Sequence, residues 1–399
     1  MPSDFDLLRA LDTEPHTAST VDVRQAIADG RRKKRQRGAG YAGVALTFVA
    51  VTGVTIASGA LSHTPAKPTP GTDVAATKTT PAASAPSSCT VQQLTVPKNA
   101  PKAVVSGADS TGSYLAGRSY PTADQYQAVI WHNGTGTEVP LPGDEEESLE
   151  DVNASGTAVG WSYLQQKQTP FVYYNGRVSQ LSGVTDGSAN AINDRGTIVG
   201  EDGEHPIFWS SVTAQPRRLP VPAGAASATA ADIDEDGTIV GTIGNKTPYV
   251  WLPDGSHHAL KVPELNGKAA EGRVFHISGG WVIGVVNEAG SGKGSARAKA
   301  RGETKTARWN VRTGEVQIIE GLDGTPDAVN AQGWLTAVER QTGAVLHADT
   351  STIKLPGLAP RGADQLADIA NTISNDGRTI GGQSNDTNGV IQPVVWHCK

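Results

Sequence analysis

The chain has 399 residues, including 46 glycines, 24 prolines and two cysteines, and its formal net charge is −6. Residues 89–399 hold 33 acidic and 24 basic side chains, a balance that argues against a nucleic-acid partner. Six of the ten remaining basic residues crowd into one short run near the start.

Two segments of the first 39 residues, SDFDLLRAL (3–11) and STVDVRQAIADG (19–30), open on Ser with Asp three positions on. They resemble capping boxes and space their apolar residues helically, which predicts short amphipathic helices in a tail over 1–39. The tail ends in RRKKRQR (31–37), a basic juxtamembrane run suited to anionic lipid. YAGVALTFVAVTGVTIASGAL (41–61) follows, 21 residues without a charge, enough to cross a hydrocarbon core of about 30 Å. A transmembrane helix is therefore predicted over 40–62, and the positive-inside rule leaves the N-terminus cytoplasmic and exports the rest. A cleaved signal peptide is the alternative, with ALS (60–62) as its site, but the basic flank is long for one. Residues 63–88 are rich in Pro, Thr and Ala and have no Phe, Trp or Tyr, so they cannot bury a core and read as a stalk.

From residue 89 onward the chain repeats itself. AINDRGTIVG (191–200) returns as ADIDEDGTIVG (231–241), and the first glycine of the phrase recurs at Gly112, Gly156, Gly196, Gly237, Gly280, Gly333 and Gly377. Asn or Asp three residues before glycine fits a type I turn with a left-handed last residue, which makes these positions structural. Copy five is the most degenerate, and copy six has Ala337 where others carry a second glycine. A second landmark, an apolar run closed by an aromatic, ends at Trp131, Tyr174, Trp209, Trp251, Trp309 and Trp396, with His347 in copy six. A third pairs an apolar residue with Val or Leu and often proline, as in LPVP (219–222) and LKVP (260–263). Four short strands in about 44 residues, seven times over, predict an all-β fold, a seven-bladed β-propeller over 89–399, with a linear solenoid as the competitor.

The ends discriminate between the two. CTVQQLTVP (89–97) is a third landmark with no unit before it, and copy seven stops just after Trp396 without one. An N-terminal strand completing the last blade closes a ring, and a solenoid gains nothing from the split. Cys89 and Cys398 sit at this seam and are expected to form a disulfide in an exported domain, two free thiols being the alternative in a reducing compartment.

Chemistry-bearing motifs are sparse. AGSGKGS (289–295) lacks the glycine and the Ser or Thr of a phosphate loop and has no helix to follow. Asp232, Asp234 and Asp236 open like a calcium loop, yet position twelve is Ile243, so the hairpin turn explains them better. His257 and His258 fall in a predicted hairpin loop without a third ligand nearby. No metal site, cofactor or catalytic set is read. Loop-length variation gathers on one face, where second strands lead to third strands and blades lead to blades. That face carries the acidic loop Asp144, Glu145, Glu146, Glu147 and the basic insertion with Lys293, Arg297, Lys299 and Arg301, candidates for a binding face, tolerated solvated loops being the bland alternative.

The repeat resembles the bacterial extracellular HAF family, whose units carry Ile-Asn-x-x-Gly-x-x-Val-Gly followed by aromatic-Val-Trp. The resemblance covers 103–397, and copies three and four carry it best. The His-Ala-Phe triplet of the name is not intact, His205, Pro206 and Ile207 coming nearest. It implies the fold and export, and transfers no catalytic residue. The expected function is a membrane-anchored binding or sensing module for a cell-envelope glycan or protein ligand. The alternatives are a signalling protein whose residues 1–39 hold a cytoplasmic regulator such as a sigma factor, and a polysaccharide lyase or glycosidase with its site at the channel mouth.

Overall fold

The computed structural model describes residues 84–122, 125–143, 146–289, 304–322, 325–339, 343–349, 351–360 and 368–399. They form seven antiparallel sheets, six of four strands and one of three, each a meander in chain order except the last, which takes in the N-terminal strand. The protein is a seven-bladed β-propeller, with no α-helix among the described residues. Blades 1 to 6 span 102–138, 147–180, 187–218, 228–259, 270–318 and 326–354.

The repeated phrase forms the hairpin between the first and second strands of a blade. In blade 3, Gly196 N–H donates to Asn193 O at 2.9 Å and Asn193 Oδ1 accepts from Thr197 N at 3.0 Å, so one side chain fastens the turn. All seven first glycines have positive φ, from +69° to +95°, which glycine enters without steric cost. Copy five reads as degenerate because it makes a tighter turn: Ser278 pairs with Trp281 across Gly279 and Gly280 alone.

The second glycine answers to close approach. In six blades the innermost strand carries one extra residue, a β-bulge at Ser106, Glu150, Asn190, Ala231, Phe275 and Asp327. Near five of these bulges an inner-strand carbonyl presses onto the second strand: a Cβ at Gly200 would lie 1.9 Å from Ser188 O, and one at Gly241 1.8 Å from Thr229 O. In blade 7 the equivalent is Gly382 rather than Gly381, because this hairpin is one residue longer. Blade 6 tolerates Ala337 because its inner strand, Pro326–Val329, begins only opposite that residue, and no strand carbonyl overhangs it.

Tryptophans of the second landmark are buried and tie the blades that carry them backwards. Their indole N–H groups donate to carbonyls in the third landmark of the preceding blade: Trp209 to Ser182 at 2.9 Å, Trp251 to Pro220 at 2.6 Å, Trp309 to Lys261 at 2.7 Å and Trp396 to Pro356 at 2.7 Å. In blade 2 the slot belongs to Tyr173, which pairs with Ala158 as Trp209 pairs with Ile198, while Tyr174 is 45% exposed. The sequence expectation of Tyr174 is thereby corrected. Seven apolar clusters fill the seven interfaces; one, containing Val395, Leu94, Val105 and Trp131, joins blade 7 to blade 1.

Cys89–Gln93 pairs antiparallel with Ile391–Cys398, Cys89 opposite Cys398, and the two form the expected disulfide. Just beyond this strand, Thr95 O accepts the Trp131 indole N–H at 2.7 Å, the bond that third landmarks make elsewhere. Residues 84–88, assigned above to the stalk, lie against blade 7: Ser87 N donates to Lys399 O at 2.6 Å and Arg378 Nη2 to Ser84 O at 2.9 Å. The predicted tail, transmembrane helix and most of the stalk lie outside the described residues, among which no helix is long and apolar enough to cross a membrane.

Candidate functional site

Innermost strands line the central channel, and its two ends differ. At the hairpin end the Asn and Asp of the repeated phrase reach forward to the next blade. Asn153 Nδ2 donates to Asn193 O at 3.1 Å, and Asn193 Nδ2 to Asp234 O at 3.2 Å. Asp234 accepts from Gly279 N at 3.0 Å and Gly280 N at 2.7 Å. Sequence reasoning gave these side chains a turn role only; the signal for the second role was their recurrence at one blade's spacing.

The bulges aim a second tier of polar groups along the channel wall. Asp151 Oδ2 accepts from Ile192 N at 2.9 Å, and Asp232 Oδ2 accepts from Ile277 N at 2.8 Å with His276 Nδ1 3.4 Å away. Asn190 bridges Glu201 at 2.8 Å and Ala230 O at 2.9 Å, and Asn371 Nδ2 donates to Val105 O at 2.6 Å. Burial pushes the Asp151 carboxyl well above its ordinary range, with the Asp232 charge adding to it. Burial likewise raises Glu201, and it raises Asp327 to about 7 despite the opposing pull of His276. Contacts between non-adjacent blades, Ser110 Oγ to Asp194 at 3.5 Å and Ser278 Oγ to Asn375 at 3.0 Å, constrict this end around a cavity of about 140 Å³. Asp151, Asp232 and Asp234 thus spend their carboxylates on the backbone of the neighbouring blade. Among the described residues no three His, Cys, Asp or Glu side chains are placed to hold a metal ion.

His257 and His258 belong to an outer strand, His257–Ala259, rather than to a loop, and His257 Nδ1 lies 2.7 Å from the Tyr249 hydroxyl.

On the variable face Glu146 and Glu147 border a cavity of about 240 Å³ between blades 1 and 2. The Glu147 carboxylate accepts from Ala128 N at 3.0 Å, and burial, with the Glu138 charge adding, pushes it up to about 7. Asp144, Glu145, Lys293, Arg297, Lys299 and Arg301 lie outside the described residues.

A larger cavity, about 690 Å³, opens on the same face between blades 7 and 1. Blade 1 supplies Lys102, Arg118, Tyr120 and Tyr126, and blade 7 supplies Asn371 and Gln383. Arg118 Nε donates to the Tyr120 hydroxyl at 2.7 Å and Nη1 to Ser148 Oγ at 3.3 Å. Its guanidinium carbon lies 5.7 Å from the centroids of both the Tyr120 and Tyr126 rings, which meet edge to face at 4.8 Å. Sequence reasoning missed this group, whose members stand up to 281 positions apart. One signal was available: after the second glycine the copies diverge, with RSY (118–120) in copy one, EDG (201–203) in copy three and TIG (242–244) in copy four.

No family model matches the chain, and no curated protein matches it in sequence. Solved structures do. An oligogalacturonate lyase from Vibrio parahaemolyticus is 10% identical, with 78% of this chain and 97% of that one covered and a TM-score of 0.51. The β-propeller domain of the Trilobed protease from Pyrococcus furiosus, with its open velcro topology, is 12% identical, with 74% and 95% covered and a TM-score of 0.50. At such identities the likeness shows the fold alone, a β-propeller.

Proposed function

We propose that the chain is a membrane-anchored, extracytoplasmic β-propeller that acts as a binding or sensing module at the cell envelope. The observation that carries the binding role is the contrast between the two ends of the channel. At the hairpin end Asp151, Asn193, Asp232 and Asp234 are consumed in blade-to-blade bonds. On the variable face a roomy cavity holds two cations that form no ion pair with a described residue. Export is supported by the intramolecular disulfide, which suits an oxidising compartment, and by the charge-free stretch 41–61 behind its basic run. The resemblance of the repeat to the HAF family points the same way. In this reading Cys89–Gln93 closes the ring: without it Ile391–Cys398 is an unpaired edge, a template for aggregation. Residues 1–39 then face the cytoplasm, placed to meet a regulator. Catalysis is not part of the proposal, since propellers host many activities and the likeness to a lyase is one of fold.

Topology is tested by adding protease to intact cells. Cleavage within 62–88 should release a domain of about 310 residues that migrates faster without reductant than with it. Protection until lysis, or two free thiols in the mature protein, would refute export.

A further inference from the structure

We infer that the cavity between blades 7 and 1 binds an acidic saccharide, a sugar ring carrying a carboxylate. The inference deepens the proposed binding role and rests on the variable face being the binding face.

Charge is the first argument. The domain is acidic, yet the described lining of this cavity includes Lys102 and Arg118 and no carboxylate. Arg118 has Nε and Nη1 engaged, while Nη2 makes no hydrogen bond to a described residue. Nη2 is therefore left to donate a charge-assisted hydrogen bond to a carboxylate oxygen. Its orientation is set beforehand, because Tyr120 and Tyr126 flank the guanidinium and Ser148 holds one arm. Pre-organisation of this kind lowers the cost of ordering a long side chain on binding.

Shape and the remaining polar groups indicate a sugar ring. Tyr126 and Tyr120 stand half-buried in the wall, offering apolar ring surface for a pyranose face and hydroxyls for its edge. Gln383, from blade 7, has an amide with no hydrogen-bond partner among the described residues, a donor and an acceptor for ring hydroxyls. The volume falls within the roughly 300–1,000 Å³ typical of small-molecule sites. A linear phosphodiester would use the cations and leave the aromatic wall unused.

The test is calorimetry on the full chain in detergent micelles with three probes: a mannuronate trisaccharide, mannotriose and a glycerol phosphate trimer. The mannuronate trisaccharide should bind, more weakly as salt rises, and the other two should not. Arg118→Gln should weaken binding by about 10- to 100-fold, the scale of one charge-assisted contact. Lys102→Gln should weaken it by a few-fold and flatten the salt dependence. Lys102 is exposed, so it decides the matter if Arg118→Gln lowers the melting temperature. Equal binding of mannotriose would overturn recognition of the charge, and binding of the phosphate trimer alone would overturn the saccharide. Absence of binding by all three, or full affinity in both variants, would overturn the site itself. These outcomes are independent of the protease experiment: a chain that binds mannuronate but is protected in intact cells keeps this inference and loses export.

Discussion

Removing the disulfide should lower the melting temperature by an amount that the length of the loop sets. Cys89 and Cys398 are 309 positions apart, so the bond closes nearly the whole domain into one loop. The chain-entropy relation for a loop of about 310 residues gives about 19 cal/mol/K, or about 6 kcal/mol at 25 °C, an upper figure because such bonds usually deliver less. Unfolding entropy of about 2.1 cal/mol/K per residue makes about 0.65 kcal/mol/K for the domain, which converts that figure to a drop of about 9 °C. A delivered value of about 2 kcal/mol, the low end for a native disulfide, gives about 3 °C. The folded state loses little else, since Cys89–Gln93 keeps its five backbone pairings and Trp131 keeps Thr95. Cys89→Ser combined with Cys398→Ser should therefore remain folded and melt about 3–9 °C lower. Reductant should move the parent to the same place and leave the variant unmoved. Calorimetric melts of parent and variant with and without reductant are the assay; coincident melts would refute a tether that acts through the unfolded chain.

Other expectations concern the blade joints and pH. Asn193→Ala removes the bond to Asp234 O and leaves Thr197 N without its acceptor in a buried turn, and should cost about 1–3 kcal/mol in urea unfolding. Gly200→Ala must displace Ser188 O and should cost about 3 kcal/mol or more; Gly203→Ala, at φ +61° in open space, should cost about 1 kcal/mol, and equal costs would contradict the close-approach argument. Glu147 and Asp327 both titrate near 7 when folded against 4.5 and 3.8 ordinarily, so the folded state holds protons that the unfolded chain releases. Their contribution to stability is therefore full below about pH 4 and fades as pH rises to 7. The parent should melt lower at pH 7 than at pH 5, and Glu147→Gln and Asp327→Asn should each flatten that difference; variants that track the parent throughout the window would refute the assignment.

Much of the fold was legible because a blade is a local object. The turn phrase and the strand lengths are written within short windows and fixed the blade count, and a chain with two cysteines, both at the seam, allows one intramolecular disulfide. Legibility failed where two windows meet. Two adjacent tyrosines offered no reason to choose Tyr173 over Tyr174, since the choice depends on register with Ala158. A turn-forming Asn looks the same in sequence whether or not its amide also reaches the next blade. The seam cavity was invisible for the same reason, Arg118 and Gln383 being brought together only by the ring.

Each indole bond points to the blade before, and each Asn bond to the blade after, so one joint is fastened by two bonds drawn from opposite sides. The joint between the last blade and the first has both, through Trp131 to Thr95 O and Asn371 to Val105 O. The chain ends are thus no weaker than any other boundary, and the present start of the domain is one choice among seven. A gene reordered to begin at 187, with residues 399 and 84 joined by a short linker, should encode the same ring, because the order of synthesis leaves no mark on the finished joints.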